Sequence, residues 1–292
     1  MVRTGKLIFL VVLLAGYGAV YTAQRHIDGT IGEYHQTEDI LFLPSGKAIK
    51  RLSLGFESLV ADIYWIRAIQ YYGGGRMNDP TRKFDLLYPL LDITTTLDPQ
   101  MIPVYQFGAV FLSEPPPIGA GDSATAIRLL RKGLEANPGN VNLYLSLGFI
   151  YYWQLKDYKM AAEIFLEGAP YQRGNLYLKN LAAFTLARGG DRRTSMYLWR
   201  QIYETSDDKR AKENAVAHLL ELQAENDIDE LEKIATRFQH TTGRFPQGFS
   251  ELVRAGYLRA VPVDPSGAPY LLDPQSGEVY VSASTQLPIP PP

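Results

Sequence analysis

The sequence predicts a mainly α fold: an N-terminal transmembrane helix, a helical solenoid and a small C-terminal α+β hairpin module. Three observations carry this. Residues 7–23 (LIFLVVLLAGYGAVYTA) hold no charge. Between residues 81 and 206 apolar side chains recur at three- and four-residue spacing, the period of a helix with one buried face. Beyond Gly243 that period fades, and two turn signals bracket short strand-like runs. The chain has 292 residues, of which 46% are hydrophobic, enough to bury a core in one or two domains and to exclude disorder throughout. Its net charge of -2 leaves no basic excess to neutralise a phosphate backbone, so nucleic acid is not an expected partner. Without cysteine there is no disulfide, thiolate zinc site, cysteine nucleophile or lipid-bearing cysteine.

Residues 1–24 read as a signal anchor, with Leu7, Ile8, Phe9, Leu10, Val11, Val12, Leu13 and Leu14 as its apolar start. The uncharged run meets the lower limit of about 17 residues for crossing a bilayer. A cleaved signal peptide would need small residues at the end of its apolar region, and Tyr17 and Tyr21 stand in the way. Arg3 and Lys6 precede the run, so the N-terminus stays cytoplasmic and the rest is exported. Residues 25–46, with Gly29, Gly32 and Pro44-Ser45-Gly46, read as a stalk. A helix follows over 47–72, ended by Gly73-Gly74-Gly75, where glycine weakens the helix. A second runs over 84–97, kinked at Pro89 and stopped at Asp98-Pro99. Further breaks at Pro115-Pro116-Pro117, Asn137-Pro138, Pro170 and Gly189-Gly190 recur at roughly 32–40 residues, a solenoid period, since one helix pair cannot bury its own apolar face.

In residues 141–173, Leu147-Gly148 is followed by Tyr151 or Tyr152, Asp157-Tyr158, Ala161, Phe165 and Gly168-Ala169. This resembles the tetratricopeptide repeat (TPR), in which small residues let the two helices of a unit approach and large ones fill the space between units. Phe107-Gly108, Phe111, Ala126, Leu130, Gly133-Leu134 and Pro138 match in the preceding unit, whose helices are separated by a long loop over 113–122. Ala182-Ala183, Gly190, Ser195, Trp199 and Ile202 match more loosely in the next. The resemblance implies a TPR-like solenoid of three to four helix pairs over 47–206. It also implies a concave groove lined by the first helices, where Tyr105, Asn142, Phe149, Tyr152, Asn180 and Phe184 face a partner, with Arg188 beside them. Such aromatic and amide groups suit a peptide or helix.

Residues 207–240 carry many acids, mostly off the stripe Leu219, Leu231, Ile234, Phe238, and read as connecting helices with a solvated face. Over 241–283, Val263-Asp264-Pro265-Ser266-Gly267 and Asp273-Pro274-Gln275-Ser276-Gly277 surround strands at 270–272 and 279–282. Together with Gly243-Arg244-Phe245-Pro246 and Gly256-Tyr257-Leu258, this segment resembles the globular half of type II secretion pseudopilins. The chain lacks that family's short leader and its acid within the apolar helix, so the resemblance implies a borrowed module. Residues 284–292 form a Pro-rich tail.

Signals for chemistry are weak. Ser45-Gly46-Lys47 lacks the remaining glycine and the Ser/Thr of a phosphate loop. His26, His35, His218 and His240 are far apart, and no Gly-x-Ser-x-Gly elbow occurs. Asp62, in an apolar helix, is expected to pair with Arg67 or a neighbouring helix. Asp264 and Asp273 are expected to cap turns, with calcium binding the alternative. No cofactor, metal, catalytic residue or small-molecule substrate is expected. The resemblances imply a non-enzymatic protein of the bacterial inner membrane, single-pass with a periplasmic body. It would be an adaptor or complex subunit holding another protein in the TPR groove. The alternative is a structural component of a type II secretion or type IV pilus-related machine acting through the C-terminal module.

Overall fold

The computed structural model describes residues 14–23, 25–26, 45–78, 83–171 and 175–287. It divides into two compact units, Met1–Pro44 and Ser45–Pro292. In the first, residues 14–23 are helical, with Leu14, Tyr17, Val20 and Tyr21 exposed. Residues 7–13 of the expected anchor and 27–44 of the expected stalk lie outside the described residues. Among the described residues no helix is long and apolar enough to cross a membrane.

The second unit is mainly helical with a two-stranded antiparallel sheet. Its helices are α1 (Gly46–Leu52), α2 (Glu57–Asn78), α3 (Leu87–Leu97), α4 (Ile102–Ser113), α5 (Ser123–Ala136) and α6 (Val141–Phe149), which continues as a π-helical turn, Ile150–Gln154. They are followed by α7 (Tyr158–Gly168), α8 (Asn175–Arg188), α9 (Arg192–Thr205), α10 (Lys209–Thr242) and α11 (Phe249–Arg254). Through α10 each helix packs chiefly on the one or two that follow it in sequence. That nearest-neighbour pattern is how stacked helical units bury a continuous core.

A repeating set of side chains produces the stacking. Asp122, Asp157 and Asp191 cap α5, α7 and α9, each accepting from the backbone N–H three residues on, those of Thr125, Met160 and Thr194. Such caps satisfy amides that the helix leaves unpaired. Four residues beyond each cap stand Ala126, Ala161 and Ser195, and eight beyond stand Leu130, Phe165 and Trp199, all buried. Close approach is enforced by glycine: a Cβ would lie 2.8 Å from the Tyr105 ring at Gly133, 2.6 Å from Tyr144 at Gly168 and 2.2 Å from Phe165 at Gly148. The tyrosine partners repeat a further bond. Tyr105 Oη donates to the Pro99 carbonyl at 3.3 Å and Tyr144 Oη to the Pro138 carbonyl at 3.2 Å, each six residues back. Ion pairs join second helices to their neighbours, Lys132 with Asp92 at 2.7 Å and Arg131 with Glu167 at 3.3 Å. Being part-exposed, they add little stability.

Several expectations are corrected. The helix expected over 47–72 is broken at Ser53–Phe56, where Leu54 and Gly55 take positive φ, and then runs through Gly73-Gly74-Gly75 to Asn78. The glycines cost about 1 kcal/mol each relative to alanine, and tertiary contacts of the preceding turn offset it. Tyr72 stacks on Phe111 at 4.0 Å and donates to the Ile118 carbonyl at 2.7 Å, while the Tyr71 hydroxyl accepts from the Leu86 amide at 3.3 Å. Pro89 does not kink a helix, because α3 starts at Leu87 and proline in a first turn removes an N–H that has no helical acceptor. Asp62 is exposed and makes no ion pair among the described residues; Arg67 instead lies over the Tyr64 ring at 5.7 Å. The segment 207–240 forms one helix, α10, rather than several.

After α10, Gly243 turns the chain with φ 80° and Pro246 is buried ahead of α11. Strands β1 (Tyr270–Leu272) and β2 (Val279–Val281) pair Tyr270 with Val281. Leu231 and Phe238 of α10, Phe249 and Leu252 of α11, and Tyr270, Val279 and Val281 form one core. The hairpin is fastened by polar bonds as well: Tyr270 Oη donates to Asp227 at 3.1 Å, and the Val279 amide donates to Glu232 at 3.1 Å. At Gly277, φ is 76° and a Cβ would strike Phe245 at 2.3 Å, so only glycine fits.

Candidate functional site

The aspartate caps of α5, α7 and α9 and the ion pairs described above lie on the second helices of the pairs. The first helices, α4, α6 with its π-helical turn, and α8, present exposed apolar side chains: Phe107 and Val110, Phe149 and Trp153, Tyr177 and Phe184. The repeat places Val110, Phe149 and Phe184 in corresponding positions. Val110 precedes Phe149 by the interval that separates Pro99 from Pro138 and Tyr105 from Tyr144. Phe149 precedes Phe184 by the interval that separates Leu143 from Leu178, which pack on Gly133 and Gly168 respectively.

Between α4 and α6 these side chains wall a cleft of about 230 Å³. Gln106, Val110 and Glu114 line one side, and Ser146, Phe149 and Trp153 the other. Phe149 is held edge-on against buried Phe165 at 5.6 Å. The π-helical turn, closed by the Leu155 amide on the Ile150 carbonyl at 3.2 Å, inserts an extra residue per turn. Within it, Tyr152 is buried while the adjacent Trp153 is exposed. Lys156 Nζ lies 5.3 Å over the Trp153 ring, and the Arg188 guanidinium lies 5.6 Å over the Tyr152 ring. The cleft is therefore walled by Val110, Phe149 and Trp153 and edged by Gln106, Glu114, Ser146 and Gln154. Lys156 stands beside Trp153, whereas Arg188 lines a separate cleft with Phe184.

Of the residues expected in a groove, Phe149, Phe184, Arg188 and Asn142 are exposed, Asn142 lining a separate cleft with Leu145, Tyr171 and Tyr177. Asn180 is half-buried and its Oδ1 is buried without a hydrogen-bond partner. Tyr105 and Tyr152 are inside the protein. Burial pushes the Tyr105 hydroxyl up to about 12, and its ring fills the space left by Gly133, so neither tyrosine is available to a partner. Val110, Trp153 and Gln106 were not read from the sequence as groove residues. The signal for Val110 was the spacing from Phe149, which duplicates the Asp98-Pro99 to Asn137-Pro138 interval.

No family model matches this chain, and no curated protein does. The site has to be read from its own chemistry.

Titratable groups do come together elsewhere. His218 stacks on Trp199 at 4.4 Å and bonds Glu221 at 3.0 Å beside a cleft shared with Phe184 and Arg188. Glu225, in the same cleft, is bound by Arg192, which also pairs with Asp229 and so joins α9 to α10. Asp264 is buried and caps its turn: its Oδ1 accepts from the Ser266 amide at 2.8 Å and the Ala268 amide at 2.9 Å, and its Oδ2 from Thr285. Burial would raise its pKa, but the bonds from Thr285, Ser266 and Ala268 prevail and hold it below the ordinary carboxylate value. Asp273 caps the second turn through the Gln275 amide at 2.8 Å. Among the described residues no group of acids and histidines is arranged to hold a metal ion.

Proposed function

We propose that this chain is a non-enzymatic, TPR-like adaptor anchored by residues 1–24 in a bacterial inner membrane, its body periplasmic, and that it holds another protein along α4, α6 and α8. The observation that carries the reading is the exposed series Val110, Phe149 and Phe184 on successive first helices, with the α4–α6 cleft between the first two. Apolar walls edged by amide and hydroxyl groups suit an extended or helical segment that presents apolar anchors. The stereotyped caps of α5, α7 and α9 and the glycine contacts of α5, α6 and α7 support the TPR-like description.

Photo-crosslinking from native membranes tests it. A crosslinker at Phe149 or Phe184 is expected to give one defined protein adduct, and one at Arg200, an exposed position on α9, none. The adduct is expected to vanish in a folded Val110→Ala/Trp153→Ala variant. Equal labelling at Arg200 would reject the groove.

A second reading, a component of a type II secretion or type IV pilus-related machine, is favoured by exposed Val261, Val263 and Leu271 around the hairpin. In that case Val263→Asp/Leu271→Asp removes the partner and Val110→Ala/Trp153→Ala does not.

A further inference from the structure

We propose that α1, the turn after it and the outward face of α2 lie on an anionic lipid surface. Helix α2 carries large apolar side chains on both sides, interrupted by exposed Asp62, Arg67 and Gln70. Ala61, Ala68 and Tyr72 are buried against the protein, yet Leu59, Ile63 and Ile66 form a continuous row on the opposite face, 58%, 48% and 53% exposed. An exposed apolar stripe on a helix that also bears charges suits a boundary between water and an apolar phase. Just before α2, Leu52 at the end of α1 and Leu54 and Phe56 of the turn are exposed as well. Leu54 is the most telling of these. It sits at φ 50°, a region leucine enters only at a cost, and its side chain is 84% exposed, so the strain gains no packing within the protein. Strain of this kind persists where it presents a residue for use.

Charge selects the occupant. Lys47, Lys50 and Arg51 of α1 are exposed immediately before Leu52, and Arg67 borders the α2 row; the acids in the same region are exposed Asp62 and half-buried Glu57. A row of large apolar side chains bordered by excess cations is the composition of a surface that enters the headgroup layer of an anionic bilayer. The proposal deepens the membrane-anchored reading, because a tether from residues 1–24 would keep this face at high local concentration near lipid. None of its residues belongs to the anchor, however.

The absence of cysteine makes the test direct. Full-length protein carrying a single environment-sensitive fluorophore at Ile63→Cys, Phe56→Cys or, as a control, Phe184→Cys is mixed with vesicles of phosphatidylcholine alone or with phosphatidylglycerol. Flotation reports whether the protein is held by lipid at all, which tests the anchor. Quenching by lipids spin-labelled in their chains reports whether the face is in lipid. At Ile63 and Phe56 quenching in the anionic vesicles is expected to cut emission roughly twofold, as for side chains buried about 5–10 Å deep. It is expected to be negligible at Phe184, and lower at Ile63 in a Lys47→Gln/Lys50→Gln/Arg51→Gln variant. Flotation without quenching at Ile63 overturns the lipid face and leaves the anchor standing. Quenching at Ile63 in protein whose flotation is lost by Leu10→Glu/Leu13→Glu only in neutral vesicles supports it independently of the anchor. A label shielded from water but untouched by the lipid quencher means that protein covers the face, which also overturns the proposal.

Discussion

The repeats over 98–205 and the C-terminal module over 209–287 are both built from helices with one apolar face, yet they are held together differently. In the repeats, tyrosine or phenylalanine rings sit directly over glycine backbone, and polar bonds serve mostly to cap helix starts. In the module, buried or half-buried carboxylates of Asp227, Glu232 and Asp264 reach backbone amides and hydroxyls of the hairpin and its flanks. Ring-on-glycine packing makes most of the contact where helix stacks on helix, because each helix satisfies its own backbone, and ion pairs such as Lys132 with Asp92 are added to it. A two-stranded hairpin has unpaired edges and a small core, so polar attachment has to supply what area cannot.

The sharpest way to break this comparison is Phe165→Ala. The ring is fully buried over Gly148, so a loss of about 3–5 kcal/mol is expected in denaturant unfolding. Hydrogen exchange should rise in α6 to α8 and stay unchanged in β1 and β2. Equal loosening of the hairpin would show that the two regions unfold as one.

Gly168→Ala probes the same packing with one added methyl group. Its Cβ meets the Tyr144 ring, and a cost of about 1–3 kcal/mol is expected. Asp264→Ala makes the opposite cut. It leaves buried donors at Ala268 and Ser266 without an acceptor, costing about 1–3 kcal/mol, with faster exchange confined to the hairpin.

Acid should act as a milder version of Asp264→Ala. Because the folded Asp264 pKa is depressed, its contribution is present above the unfolded value of about 3.9 and is lost as pH falls through the lower folded value. Near-ultraviolet circular dichroism in a pH titration is expected to report loosening of the tyrosine-bearing hairpin before far-ultraviolet helix signal declines. The smallest effect is expected for Asp157→Ala, which removes one helix cap for about 1 kcal/mol, measured as a shift in unfolding midpoint.

Much of this architecture was legible in the sequence because its signals are local. Asp157-Tyr158 and Asp191-Arg192 announce helix starts, Asn137-Pro138 a stop, and Asp264-Pro265-Ser266-Gly267 a turn, each through side chain to backbone bonds spanning a few residues. The strand at 270–272 was read correctly, and β2 ends one residue earlier than expected. The candidate groove was only partly legible. Phe149 and Phe184 are outward, but Tyr105 is drawn inward by Gly133, which is far along the chain, and Trp153 is exposed beside a π-helical turn that propensity does not encode.

The sequence by itself determined that the chain is helical between the breaks at Asp98-Pro99, Asn137-Pro138 and Gly189-Gly190, and where it ceases to be helical. Only the tertiary structure decided that Gly73-Gly74-Gly75 stays helical, that Asp62 faces outward, and that Leu59, Ile63 and Ile66 remain uncovered while Ala61 and Ala68 do not. The reason is physical. Caps and turns are satisfied within a few residues, whereas on a helix with apolar side chains on both sides the buried face is set by which other helix packs against it.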